Sequence, residues 1–364
     1  MHGMKVLLLS DVNSIHTRRW AASLKVAGVA CGLFSLEAPR ENWCEEPGIP
    51  LFLSGWHPEG KLGKTFYLMQ LASLRKAIRT FLPDIVHAHY ASSYGLLGAL
   101  SGFHPFILSV WGSDVFEFPR ISFLHRMILR FNLSKADKIL STSQAMARET
   151  NKYSKRDIEV TPFGVDLNHF KPQKVDSLFN EEDIVIGMIK ALEPIYGIRC
   201  LMQAFQIVKG SNPDLPLKLL IVGSGSEEME LKALAQQLAI QNDVIFTGRI
   251  PFSDVPRYHN MISIYVALST FESFGVSVVE AQATEIPVIV SNVGGLPEVV
   301  DNGVTGIVIE PRNAVVAAQT IEYLVHNKAL REKMGQSGRQ RVIENYDWND
   351  SLAQMIAIYQ EVMR

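Results

Sequence analysis

The second half of the chain repeats a single pattern of short apolar runs separated by helical stretches. Runs at 184–189, 217–222, 244–246 and 262–267 alternate with helical stretches at 198–209 and 227–239. Strands that are apolar throughout, instead of at every second residue, are buried on both faces. Their alternation with helices narrows the choice to a parallel sheet covered on both sides. The first half follows the same grammar less regularly, with apolar runs at 4–10, 84–90, 107–111 and 136–144 and a helical segment at 17–27. Between the halves, TPFGVDLNHFKP at 161–172 carries two prolines and a glycine without apolar periodicity, as expected of a domain junction. The chain therefore reads as α/β, with doubly wound Rossmann-like domains at 1–165 and 166–345. A last segment, 346–364, is apolar at helical spacing.

A length of 364 residues allows each domain its own core. Hydrophobic residues at 47% and charged residues at 20% argue against disorder. No apolar run approaches the ~18 residues of a membrane-spanning helix, and MHGMKVLLLSD lacks the form of a signal peptide, so a cytosolic chain is expected. Cys31, Cys44 and Cys200 have no metal-site spacing and read as reduced and structural. The net charge of −2 conceals a local excess of +9 within 61–156, from 14 Lys and Arg against 5 Asp and Glu. Such a half suits an anionic membrane surface or an anionic acceptor, and equally an unevenly charged, solvated surface.

The densest cluster of chemical groups lies in STFESFGVSVVEAQATEIPVIVSNVGGLPEVV, residues 269–300. A helix opening near Gly275 presents free backbone N–H groups and a positive dipole end, a ready site for phosphate. Glu272 stands before that site and Glu280 lies more than a turn along the helix, so the carboxylates reach different parts of one elongated ligand. Paired sugar hydroxyls are natural partners for them. Taken alone, either glutamate is as readily a solvated helix charge.

The whole block resembles the signature of glycosyltransferase family 4, the retaining enzymes of GT-B fold. The shared features are Glu272-Ser273-Phe274-Gly275, Glu280-Ala281, Pro287-Val288, Gly294-Gly295 and Glu298. The resemblance implies two Rossmann-like domains facing each other across a cleft, an acceptor domain first and a nucleotide-sugar domain second, with the terminal helix returning to the first. It implies that Glu272 and the amides near Phe274, Gly275 and Val276 hold the donor sugar and diphosphate, and that Glu280 takes the ribose hydroxyls.

The remaining candidates fall at strand ends, where ligands of doubly wound sheets bind. The loop after the first strand holds Asn13, Ser14 and His16 but no glycine, a departure from the family, and His16 also suits a plain helix entry. In DIVHAHY, His87 and His89 alternate onto one side without a third metal ligand of suitable spacing. The resemblance places His89 by the transferred sugar and leaves His87 structural. Asp114, in Gly112-Ser113-Asp114, suits an acceptor contact or a helix cap. ISFLHRMILR at 121–130 suits an interfacial helix, although the expectation for Phe123, Leu124, Met127 and Ile128 is the core. Lys190 can neutralise diphosphate charge beside Glu193. It matches a family Arg, whereas Tyr196 stands where the family has Lys, so Arg199 or Arg249 is a candidate substitute. Gly248-Arg249-Ile250 resembles the place that receives the nucleotide base. Gly223-Ser224-Gly225 reads as a strand-to-helix turn.

The expectation is a metal- and cofactor-independent retaining transferase. It moves a hexose or N-acetylhexosamine from a UDP- or GDP-sugar to a hydroxyl of a saccharide or lipid-linked acceptor, with no nucleic-acid partner and the inner membrane face as an additional candidate location. His89, Lys190 and Glu272 are its expected catalytic residues. Glu193, Arg249, Ile250, Ser273, Phe274, Gly275, Val276 and Glu280 are expected at the donor, and Asn13, Ser14, His16 and Asp114 at the acceptor or phosphate loop. Two other classes fit the same residues: a non-catalytic sugar-nucleotide-binding partner subunit, kept open by Tyr196, and a GT-B sugar-nucleotide epimerase.

Overall fold

The computed structural model describes residues 3–45, 48–54 and 63–364. The chain divides into two units, Met1–Pro162 with Ser351–Arg364, and Phe163–Asp350. In the first unit, strands β1 (Lys5–Leu9), β2 (Ala30–Ser35), β3 (Leu51–Leu53), β4 (Ile85–His89), β5 (Phe106–Val110), β6 (Lys138–Ser141) and β7 (Ile158–Val160) form one sheet in the order 3-2-1-4-5-6-7. In the second, β8 (Ile184–Ile189), β9 (Leu217–Val222), β10 (Val244–Phe246), β11 (Ile264–Ala267), β12 (Val288–Ser291) and β13 (Gly306–Ile309) take the order 10-9-8-11-12-13. Neighbouring strands pair in parallel throughout both sheets.

Strand order reverses between β1 and β4 in one sheet and between β8 and β11 in the other. There successive crossovers leave to opposite faces, and the loops at the strands' carboxyl ends part to make a crevice.

The apolar runs become the central strands because both their faces are covered. Val6 to Leu9 of β1 are fully buried, as are Leu219 to Ile221 of β9. The helix Ile198–Ser211 lays Leu201, Met202, Phe205 and Val208 into the same core as Ile186, Met188 and Ile221. Burying a side chain such as Phe205 contributes about 2–3 kcal/mol. In the first unit the terminal helix Trp348–Val362 brings Tyr359, fully buried, to donate to or accept from His87 Nδ1 at 2.7 Å. Among the described residues no helix is long and apolar enough to cross a membrane.

The helix Phe123–Lys135 corrects an expectation. Phe123, Leu124 and Met127 are 73%, 60% and 44% exposed, and the buried stripe is instead His125, Leu129, Asn132 and Leu133. Polar anchors set this rotation. Ser122 accepts from the His125 amide, its hydroxyl meets His125 Nδ1 at 2.7 Å, and the imidazole packs edge-on against Phe118. One turn from the other end, Asn132 Nδ2 donates to the Ala91 carbonyl at 2.8 Å. Two inward hydrogen-bonding side chains thus override the hydrophobicity of the opposite face.

Candidate active site

In the second unit, Lys190 directly follows β8 and β11 leads into the loop that carries Glu272, so both groups arrive at the reversal point. Lys190 Nζ lies 2.6 Å from Glu272 Oε2, with 17% and 11% of the two side chains exposed. The ammonium also sits 4.8 Å from the centre of the Tyr196 ring. Burial alone would push the Lys190 ammonium down, but Glu272, Tyr265 and Tyr196 outweigh it and hold the group above the usual lysine range. The pairing with Glu272 thus favours the charged form of Lys190, and a charge this little exposed is less screened than one in open water. Tyr196 forms an aromatic wall for this cation. Arg199 is not a spare substitute, because it is paired with Glu227 and Glu230.

The loop holding Glu272 is fixed by backbone contact. Gly294, at φ +52°, comes so close that an added Cβ would fall 1.7 Å from the Glu272 carbonyl oxygen, and the Gly295 amide donates to that oxygen at 3.1 Å. The glycine pair is thus the rear support of the ligand loop. Gly275, at φ +107°, caps the helix Val276–Ala283, and its carbonyl accepts from the Val278 and Val279 amides. The amides that precede them are the first-turn donors, which have no partner inside the helix. Phe274 is itself core, edge-on to Phe163 and Tyr346, so it offers the loop its main chain only.

Glu280 is buried in that helix with Oε2 3.7 Å from His259 Nε2. His259 closes the short helix Val255–His259 and is fully buried, and neither ring nitrogen has a hydrogen-bond partner among the described residues. No sequence signal marked it, since its partner lies 21 residues away on another element. Glu193 lies outside this pair, half-buried, accepting from the Ser226 amide and hydroxyl, which hold its carboxyl below the usual range. Arg249 is exposed after β10, where Gly248 and Gly223 bridge the main chains. Ser273 and Val276 are half-buried in the Glu272 loop, as is Ile250 beside Arg249.

The first unit's reversal point gathers hydroxyls, rings and two carboxylates, without a Lys or Arg among the described residues of the cavity lining. A cavity of about 370 Å³ opens there, lined among others by Ser10, Asp11, Ser14, Glu37, His89 and Trp111. His89 stacks on Trp111 at 4.5 Å, with Nδ1 3.3 Å from the Ser10 hydroxyl, and His16 meets the same indole edge-on. Burial, with His87 and His16 nearby, holds His89 well below the usual imidazole range, so it is neutral. Burial pushes His87 down to about 3, and its nitrogens meet Tyr359 and Ser109 at 2.7 and 2.8 Å, a structural role.

Two loop candidates turn out to be braces. Asp114 is fully buried and accepts from the amides of Ala91, Trp111 and Gly112, so it braces the loop backbone. Its carboxyl is raised by burial in spite of those donors. Asn13 accepts from the Arg40 amide and donates to the Ala38 carbonyl, tying down the neighbouring loop. Ser14 stands at the helix entry and lines the cavity.

Two parallel doubly wound domains of one strand order define the GT-B fold, and solved structures agree. Sucrose-phosphate synthase from Thermosynechococcus elongatus superposes with a TM-score of 0.85 at 19% identity, covering 99% of each chain. Anabaena HepE in complex with UDP and glucose does so at 0.81 and 18%, covering 98% of this chain and all of that one. By sequence, residues 170–341 match the family described as "Glycosyl transferases group 1" and 5–143 match "Glycosyl transferase 4-like". The chain belongs to the glycosyltransferases of this group 1, family 4 type. It is 26% identical to N-acetyl-alpha-D-glucosaminyl L-malate synthase of Bacillus anthracis over 77% of this chain and 75% of that one. It is 32% identical to the capsular polysaccharide biosynthesis glycosyltransferase CapM of Staphylococcus aureus over 60% of this chain and 54% of that one.

Proposed function

We propose that this glycosyltransferase moves a hexose or N-acetylhexosamine from a nucleoside-diphosphate sugar to a hydroxyl of a saccharide or lipid-linked acceptor, with retained configuration and without a metal. The observation that carries the reading is the buried Lys190 and Glu272 pair at the reversal point of the second sheet, beside the Gly275 helix start. Anabaena HepE, of the same fold, was solved with UDP-glucose, which supports a uridine nucleotide first and a guanosine nucleotide second.

Breaking the bond between the sugar carbon and the diphosphate leaves negative charge on phosphate oxygen. Lys190 and the helix amides stabilise that charge from fixed positions, without reorganising as it develops. An ammonium has three donors, so Lys190 can keep Glu272 and still serve a phosphate. The acceptor oxygen forms the new bond, and its proton passes to the departing phosphate, so no protein nucleophile is required. Glu272 orients sugar hydroxyls and Glu280 the ribose. The neutral imidazole of His89 contributes a hydrogen bond to a sugar hydroxyl without adding positive charge.

Thermal shift against a panel of UDP- and GDP-sugars, followed by nucleotide release with candidate acceptors, tests the reading. Binding with turnover supports transfer. Tight binding without turnover on any acceptor favours the partner-subunit alternative, for which the Tyr196 ring over Lys190 is the supporting feature. Epimerised donor formed without acceptor favours the epimerase.

A further inference from the structure

We propose that the outward face of the helix Phe123–Lys135, with Ile121 beside it, docks the protein on an anionic phospholipid bilayer. Ile121 and Phe123 are 65% and 73% exposed, Leu124 60%, Met127 44% and Phe131 36%. At ~100° per residue, Phe123, Leu124, Met127 and Phe131 share one arc about 100° wide, opposite the buried stripe of His125, Leu129, Asn132 and Leu133. The polar anchors at Ser122 and Asn132 hold the helix in this rotation, so the apolar arc is presented to solvent by design of the packing and not by fraying.

Charge identifies the occupant. The same projection sets Arg126 and Arg130 along one border of the arc and Lys135 along the other. From 118 to 135 there is no acidic residue. Arg126 and Arg130 have no ion-pair partner among the described residues, and Arg156 adds a guanidinium at the far end by donating to the Ser134 carbonyl at 3.0 Å. An apolar arc bordered on both sides by cations matches the boundary between acyl chains and negatively charged headgroups, where side chains such as Phe and Leu enter and Arg and Lys stay at headgroup level. A second copy of the chain fits worse, since a two-fold contact through this face would set the same cations against one another. This docking does not depend on the donor reading, and it brings the enzyme to the surface on which a lipid-linked acceptor would be held.

Co-sedimentation of the full chain with phosphatidylcholine vesicles, with and without phosphatidylglycerol, tests the docking at low and at physiological ionic strength. Binding should require the anionic lipid and weaken as salt rises. Phe123→Ser with Leu124→Ser, and separately Arg126→Glu with Arg130→Glu, should each weaken it at least about tenfold while leaving the melting temperature near wild type. Three outcomes overturn the proposal: no binding to anionic vesicles at low salt, binding that both double variants retain, or self-association in light scattering that the Phe123 and Leu124 variant abolishes without any vesicle binding.

Discussion

The two sheets share a strand order through their first six strands and place chemistry at the same topological point, yet they furnish it oppositely. Around His89 the first unit collects hydroxyls, an indole, imidazoles and the carboxylates of Asp11 and Glu37 beside a cavity. Around Lys190 the second collects a buried cation, its carboxylate and a helix start. One scaffold thus presents two sets of groups at the same point, hydroxyls, rings and carboxylates in one case and a buried cation with its carboxylate in the other. Topology sets where a ligand sits, and the residues at the strand ends set what kind it is.

The sharpest way to break the contrast is to remove the charge. Lys190→Ala should lower kcat by about 100- to 1,000-fold, because a fixed phosphate contact is lost where solvent cannot replace it. Steady-state nucleotide release measures this, and a fall of under tenfold would make the two strand ends less different than described. Glu272→Ala should cost about 100-fold, mostly in kcat, since it pairs with Lys190 and, on the proposed function, orients the sugar.

Donor affinity should respond less. Glu280→Ala should raise the donor KM by about tenfold, the loss of a charged hydrogen bond to hydroxyls. His259→Phe should reproduce part of that rise if the imidazole positions Glu280, with calorimetric donor titration as the readout.

In the first unit the expected effects are in pH. His87 and His89 titrate below their ordinary value near 6.5. The unfolded chain therefore binds more protons as pH falls, and stability declines from about 6.5 downward, with the His87 share complete near 3. Urea midpoints between pH 7.5 and 4.5 should show that decline, with a shallower slope in His87→Gln. Smallest of all, Tyr359→Phe should cost about 1–3 kcal/mol by leaving His87 Nδ1 without its hydroxyl.

Much of this architecture was legible because buried parallel strands are apolar end to end. The runs at 184–189 and 217–222 coincide with β8 and β9, and the glycine before Val276 marked the helix start that the structure shows. The strands that escaped notice fail that criterion. β3 and β7 have three residues each, β13 is the short GIVI between turns, and β2 carries Cys, Gly and Ser within six residues. Helix Phe123–Lys135 misled for a different reason: its rotation is set by His125 and Asn132, and hydrophobicity alone cannot register a hydrogen bond to Ala91. The pairing of Glu280 with His259 was equally invisible, since only the folded chain brings the two elements together.

The contact between Gly294 and the Glu272 carbonyl has an evolutionary side. Main chain rests there on main chain, so the stance of Glu272 is indifferent to drift in the surrounding side chains. Neighbouring side chains are then at liberty to change while the carboxylate of Glu272 keeps its place beside Lys190. The glycine pair is denied that liberty, because a Cβ at Gly294 or Gly295 would press into the main chain of the loop.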